Sequence, residues 1–337
     1  MKSLHDAVLD WWDGRLGGTG RALDVITAPA EALYRGITST RNALYDGGSL
    51  QSVRLPAPVL SVGNVAIGGT GKTPVTAWLA RVLRDAGRHP AVLHGGYAPD
   101  EPALHQKLNP DIAVIAGRDR VETGRAAIGA GADVLVLDDG FQHRRLERDI
   151  DIVLVAAETW GIRRRTLPRG PWREPEHALR RATHIIVTRR SVDSETAMMV
   201  AGGIRRFFPG EVAIVHLNAA TWRRGDRAWD GPAAAPPAAG ALLVTAIAQP
   251  ASFEENARAA GATLTGRAFF PDHHDYSEAD AAAILEKAGN GAIVTTAKDW
   301  VKLERLLPRE RVWVLHQQVE PEAGVDAMLT AVRGLVA

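Results

Sequence analysis

The chain has no cysteine, and aromatic residues make up only 6% of it. Without thiols there are no disulfides and no cysteine-ligated metal centres, a composition that suits a reducing compartment. No apolar run approaches the roughly 18 residues that a membrane-spanning helix needs. The N-terminus shows no secretory signal with its short apolar core, so none is expected. An excess of one charge is missing as well: 40 Lys and Arg stand against 39 Asp and Glu, for a formal net charge of +1. That balance gives no electrostatic footprint for nucleic acid, and no segment calls for an obligate protein partner. Hydrophobic residues at 46% and charged residues at 23% over 337 positions describe an ordinary globular chain, long enough for about two cored domains.

Glycine is plentiful in one place that matters. An apolar run at 59–65 is followed by Gly68-Gly69-Thr70-Gly71-Lys72-Thr73 and then by a helical pattern over 75–83. Strand, glycine loop and helix in that order form a phosphate-binding loop. Its backbone N–H groups turn toward an anionic oxygen, and the helix N-terminus adds partial positive charge. The expected nucleotide contacts are Ala66, Ile67, Gly68, Gly69, Thr70, Gly71, Lys72 and Thr73. Lys72 serves the β- and γ-phosphates and Thr73 serves Mg²⁺. Ala66 stands where the general pattern has glycine.

Short Val/Ile/Leu runs at 91–93, 112–116, 134–137, 152–155 and 185–188 alternate with helical stretches such as 120–129. This rhythm predicts an α/β fold: a P-loop NTPase-like parallel sheet flanked by helices. An Ala/Pro-rich stretch at 229–240 reads as a linker. Beyond it, strands at 241–247 and 292–296 and helices at 252–260 and 277–288 predict a second, smaller α/β domain. The expected division is N-terminal helices at 1–50, a P-loop core at 51–228, the linker, and a C-terminal domain at 241–337 that closes over the site.

The run Val134-Leu135-Val136-Leu137 ends in Asp138-Asp139-Gly140. A buried strand ending in a carboxylate is the usual partner of a phosphate-binding loop, so Asp138 joins Thr73 as an expected Mg²⁺ ligand. Asp139 is placed to tune the metal or orient a reacting hydroxyl, although Asp-Asp-Gly is also ordinary turn chemistry. Before the loop, residues 3–45 read as two or three helices broken near Gly17-Gly18 and at Pro29. Ala30, Leu33, Ile37 and Leu44 share a face there. Arg35 and Arg41 sit toward its rim, and Trp11 and Trp12 add large amphipathic rings. Such a face either caps a core or rests in a membrane interface.

Residues 63–74 together with Asp138-Asp139-Gly140-Phe141-Gln142-His143-Arg144 resemble the tetraacyldisaccharide 4'-kinases, which phosphorylate a lipid A precursor. Further similar segments follow in order: Asp100-Glu101-Pro102, Gly117-Arg118-Asp119-Arg120, the run 167–175, Phe270-Pro271-Asp272-His273-His274 and the run 295–303. The chain departs from the family pattern at His94-Gly95-Gly96-Tyr97, at Ala246-Ile247-Ala248-Gln249-Pro250 and at Ala297. The resemblance implies ATP and Mg²⁺ as cofactors and an acylated glucosamine disaccharide 1-phosphate as acceptor. It also implies a peripheral position at the cytoplasmic face of the bacterial inner membrane. Asp100 is then the expected base, His273 its partner, and Lys72 and Asp139 act at the transferring group. Glu101, Arg120, Gln142, His143, Arg173 and Glu174 bind substrate or support the site. A lipid substrate also favours the interfacial reading of the N-terminal helices. Two other classes share the loop: a nucleotide-switched binding protein of the GTPase or metal-insertion type, and a kinase of a soluble sugar or cofactor precursor.

Overall fold

The structure is a computed structural model and describes residues 4–96, 100–161, 164–229, 232–247, 250–272 and 274–335. Its helices are α1 (Leu4–Trp12), α2 (Gly17–Asp46), α3 (Lys72–Asp85), α4 (Asp100–Leu108), α5 (Arg120–Gly129), α6 (Ser194–Arg205), α7 (Pro250–Ala259), α8 (Glu278–Ala288), α9 (Ala297–Leu303) and α10 (Val325–Gly334). Its strands are β1 (Val59–Asn64), β2 (Pro90–His94), β3 (Ala113–Ala116), β4 (Val134–Asp138), β5 (Ile150–Ala156), β6 (His184–Arg189), β7 (Glu211–Arg224), β8 (Ala241–Thr245), β9 (Leu264–Phe269), β10 (Ala292–Thr296) and β11 (Val312–Ala323).

The chain forms two compact units. The first comprises Met1–Gly95, Gly117–His216 and Pro321–Ala337, and the second comprises Gly96–Ala116 and Leu217–Glu320. This division differs from the expected one. Residues 96–116 group with the later chain because α4 packs on α9, and the last helix returns to the first unit beside α3. Part of the expected linker, within 232–240, is held by a backbone bond. Ala234 donates its N–H to the Trp222 carbonyl at 2.8 Å, which pins it along β7.

In the first unit the parallel strands run β2-β4-β1-β5-β6 and on to the opening residues of β7. Every residue of β1, β4 and β5 is buried. That is why these segments read as unbroken apolar runs rather than alternating ones. In the second unit β9, β8, β10 and β11 pair in parallel. The α/β reading therefore holds, with a parallel sheet in each unit.

The N-terminal helix departs from expectation. Pro29 does not break α2, which continues for 30 residues. Pro29 is exposed, so water can satisfy the carbonyl it leaves unpaired. The buried residues of α2 are Gly20, Glu31 and Asn42, spaced by eleven. Eleven residues are barely more than three whole turns, so these three form one line along the helix. Trp11 and Trp12 are buried rather than presented to an interface. Their indole N–H groups donate to the Gly20 carbonyl at 3.1 Å and to the Pro168 carbonyl at 2.9 Å.

Candidate active site

β1 ends at Asn64, whose Nδ2 donates to Thr70 Oγ1 at 2.8 Å and so closes the glycine loop on its own strand. Gly71 takes a φ of +88° as the residue that caps α3, a conformation that favours glycine. The chain then enters α3 at Lys72 and Thr73, both half-buried, with the helix N-terminus at the loop. Two neighbours brace the outside. The Ile67 N–H donates to the Pro171 carbonyl at 2.7 Å, and Thr188 Oγ1 donates to the Thr70 carbonyl at 3.0 Å. Ala66 forms a bridge with Trp172, so its methyl group stands at a packed edge where the general pattern has glycine.

Asp138 closes β4 in register with Val62 of β1 and is 2% exposed. Thr76 Oγ1 of α3 donates to its Oδ1 at 3.3 Å. Asp139 follows with a φ of +56°, which an aspartate tolerates better than most side chains. This turn folds tightly onto β1: a Cβ on Gly63 would lie 2.6 Å from the Phe141 backbone nitrogen, so only glycine fits there. Arg173 Nη1 reaches Asp139 Oδ2 at 2.8 Å, and Lys72 Nζ stands 3.7 Å from Oδ1. Gln142 Nε2 donates to the Asn64 carbonyl at 2.9 Å. Its Oε1 accepts from Arg173 Nη1 at 3.4 Å. Lys72, Asp139 and Arg173 thus form one charged cluster at the loop, with the neutral Gln142 hydrogen-bonded to it.

His143 is half-buried, and its pKa is lowered first by burial and then by the Arg120 charge. Arg120 itself is buried at the start of α5 and donates to the Gly117 carbonyl. Glu174 is fully buried. It accepts from Arg181 at 2.8 Å and 3.1 Å and from Asn42 Nδ2 of α2 at 2.6 Å. Its carboxylate is closed off from solvent by these partners.

Three arginines of the 163–173 run form separate ion pairs, and Arg163 lies outside the described residues. Arg164 pairs with Glu176, Arg169 with Glu31 at 2.9 Å, and Arg173 with Asp139. Arg164 also lines a cavity of about 480 Å³ with Arg35, His177 and Arg180.

In the second unit Asp100 opens α4 and is 4% exposed. Lys298 Nζ and Lys302 Nζ of α9 each stand 3.9 Å from its Oδ2. Glu101 follows in the same turn. His273 lies outside the described residues. The two lysines carried no role in the sequence reading, although both fall in the 295–303 run. What aims them is Asp299, 2% exposed, which accepts from Thr245 at 2.7 Å, Thr296 at 2.7 Å and Tyr276 at 3.1 Å. Those bonds fix α9 against β8 and β10. Burial and the nearby Asp299 carboxylate push the Tyr276 hydroxyl pKa up, so it stays a donor.

The sequence matches the family described as tetraacyldisaccharide-1-P 4'-kinase over residues 23–99 and 96–333. It is 35% identical to a tetraacyldisaccharide 4'-kinase of Anaeromyxobacter dehalogenans (strain 2CP-1 / ATCC BAA-258), over 97% of this chain and 94% of that protein. The corresponding protein of Syntrophus aciditrophicus (strain SB) is 40% identical, over 88% of this chain and 89% of its own. Among solved structures, LpxK from Aquifex aeolicus in complex with ATP superposes with a TM-score of 0.77 at 27% identity. That match covers 94% of this chain and 100% of the other.

Proposed function

Because the chain belongs to the tetraacyldisaccharide 4'-kinase family, we propose a division of labour for its residues within that activity. The enzyme is an ATP-dependent kinase that transfers the γ-phosphoryl group to the 4'-hydroxyl of tetraacyldisaccharide 1-phosphate, giving lipid IVA. The observation that carries the assignment of roles is the cluster at the glycine loop, where Asp139 holds both Lys72 and Arg173.

The loop amides and the α3 N-terminus bind the phosphates, and Lys72 neutralises charge that grows on the transferring group. Arg173, on the other side of Asp139, offers a second cation to the same oxygens. Asp138 and Thr73 supply a carboxylate and a hydroxyl, all oxygen donors, which fits a hard divalent cation such as Mg²⁺. Among the described residues no group of three or more His, Asp or Glu could hold a metal. Mg²⁺, which binds through one or two carboxylates plus phosphates, suits such a sparse donor set. Bound there, it would offset phosphate charge.

Asp100 takes the proton of the acceptor hydroxyl, with His273 as its partner. Lys298 and Lys302 keep a positive field on that carboxylate. Arg120, Glu101, Gln142, His143 and Glu174 bind substrate or support the site.

No helix among the described residues is long and apolar enough to cross a membrane. The acylated acceptor is nevertheless met at a membrane surface. The proposed contact is α2, whose outer face carries Ile26, Leu33, Ile37 and Leu44 in the open. Arg35, Arg164 and Arg180 in the nearby cavity suit an acceptor 1-phosphate or an anionic headgroup. The expected setting is the cytoplasmic face of the inner membrane.

The test is incubation with Mg-ATP and tetraacyldisaccharide 1-phosphate, watching for a bisphosphorylated lipid. Nucleotide hydrolysis without lipid product would favour a nucleotide switch. The Asp100→Asn variant is expected to lose about 100-fold or more in turnover while still binding nucleotide. Near-normal turnover would remove Asp100 as the base.

A further inference from the structure

β6 ends at Arg189, and the next residue, Arg190, stands beside the glycine loop. Arg190 Nη2 lies 3.8 Å from where a Cβ on Gly69 would sit. The end of β6 is tied to the same loop through Thr188 and the Thr70 carbonyl. Glu158, just past β5, fixes the turn, because its Oε1 accepts from the Arg190 N–H at 2.5 Å and the Ser191 N–H at 3.1 Å.

The two adjacent arginines have different fates. Arg189 is engaged by Glu322 and by the Val192 carbonyl. The Arg190 guanidinium makes no hydrogen bond and no ion pair among the described residues, although it is half-buried. Burial lowers its pKa, opposed by the Glu158 charge. An arginine does not lose its proton in a protein, so this is a cation held partly out of water, with the Glu158 charge near it but no ion pair made. Ordinary structural arginines are not left so. The position is also telling. In a parallel sheet, ligands lie beyond the C-terminal strand ends. β6 stands two strands from β1, about 10 Å at usual strand spacing. The phosphates belong at the loop after β1, and the end of β6 lies beside that loop, within reach of the rest of a bound nucleotide.

We propose that Arg190 is the nucleoside contact of the ATP site and lays its planar guanidinium on the face of the adenine ring. Glu158 is a positioning residue that acts through the Arg190 backbone. This inference rests on the chain using ATP.

The test is Arg190→Met in the full-length protein, with thermal melting confirming the fold. The KM for ATP is expected to rise about tenfold while the KM for the lipid acceptor stays unchanged. By calorimetry, ADP affinity falls and inorganic tripolyphosphate affinity does not. An equal loss for ADP and tripolyphosphate would make Arg190 a phosphate contact and overturn the proposal, as would unchanged ADP affinity. Arg190→Lys, which keeps the charge and loses the plane, is expected to recover little ADP affinity, and full recovery would also overturn it. If the wild-type protein binds ADP but makes no lipid product, the kinase reading fails while the Arg190 experiment still stands.

Discussion

Arg173 Nη1 lies 2.9 Å from Oδ1 and 2.8 Å from Oδ2 of Asp139. The same carboxylate has Lys72 at 3.7 Å. One anion therefore sets the spacing of two cations that both face the phosphate loop. Asp139→Asn keeps a side chain that tolerates the φ of +56° but removes the charge that holds the pair. Turnover is expected to fall at least about tenfold with the melting temperature nearly unchanged. Asp139→Ala is expected to lower stability as well, by about 1–2 kcal/mol for the left-handed backbone. Paired steady-state kinetics and thermal melts decide it, and wild-type turnover in the Asn variant would exclude this role.

Glu174 is the joint between α2 and the rest of its unit. It is fully buried between Arg181 and Asn42. The Arg181 guanidinium also lies 4.4 Å from the centre of the Phe141 ring. Removing the carboxylate strands a partly buried cation, so Glu174→Ala should cost about 3–5 kcal/mol in urea unfolding. Asn42→Ala removes only a neutral donor and should cost about 1–2 kcal/mol. Equal losses would mean that the Arg181 pair contributes nothing.

The sequence made the fold class legible because β1, β4 and β5 are buried on both faces and so read as plain apolar runs. The glycine loop was legible for a different reason: strand, turn and helix occur within one short window. The strands β7, β9 and β11 and the helix α10 were not read. β9 alternates half-buried and exposed residues, and its signal is too weak to stand out. The reach of α2 was underestimated because an exposed proline costs a helix less than a buried one. The Arg173–Asp139 pair spans 34 residues, and the lysines on Asp100 come from about 200 residues away, so no local pattern could join them.

His143 gives a pH signature. Burial and Arg120 lower its pKa below the ordinary 6.5. Below pH 6.5 the unfolded chain takes up a proton that the folded chain resists. Stability therefore falls as pH drops from 6.5 toward the folded-state pKa, by at most about 1.4 kcal/mol per pH unit for this one group. His184 is shifted the same way by burial, so part of the slope belongs to it. His143→Gln should flatten the stability curve below pH 6.5 and leave the region above pH 7 alone. An unchanged slope in denaturant titrations at a series of pH values would show that His143 is not desolvated.

The N-terminal helix turns ordinary amphipathicity around. Its buried line is Gly20, Glu31 and Asn42, while Ile26, Leu33, Ile37 and Leu44 face outward, with Leu33 66% and Ile37 61% exposed. Those four recur at spacings of seven, four and seven, which places them within one narrow arc of a helix. Such a stripe is costly in water and gains about 25 cal/mol per Å² wherever it can leave water. Removing the whole segment is a poor test, because Glu174 would lose Asn42 and Arg169 would lose Glu31. The double variant Leu33→Asp/Ile37→Asp touches neither. It should melt at or slightly above the wild-type temperature, since it relieves exposed apolar surface. It should also lose most of its sedimentation with vesicles that contain anionic phospholipid. Turnover on acceptor presented in vesicles should fall several-fold, while turnover on acceptor dispersed in detergent micelles should change little, because the chemical groups are untouched. Vesicle binding equal to wild type would separate α2 from the membrane.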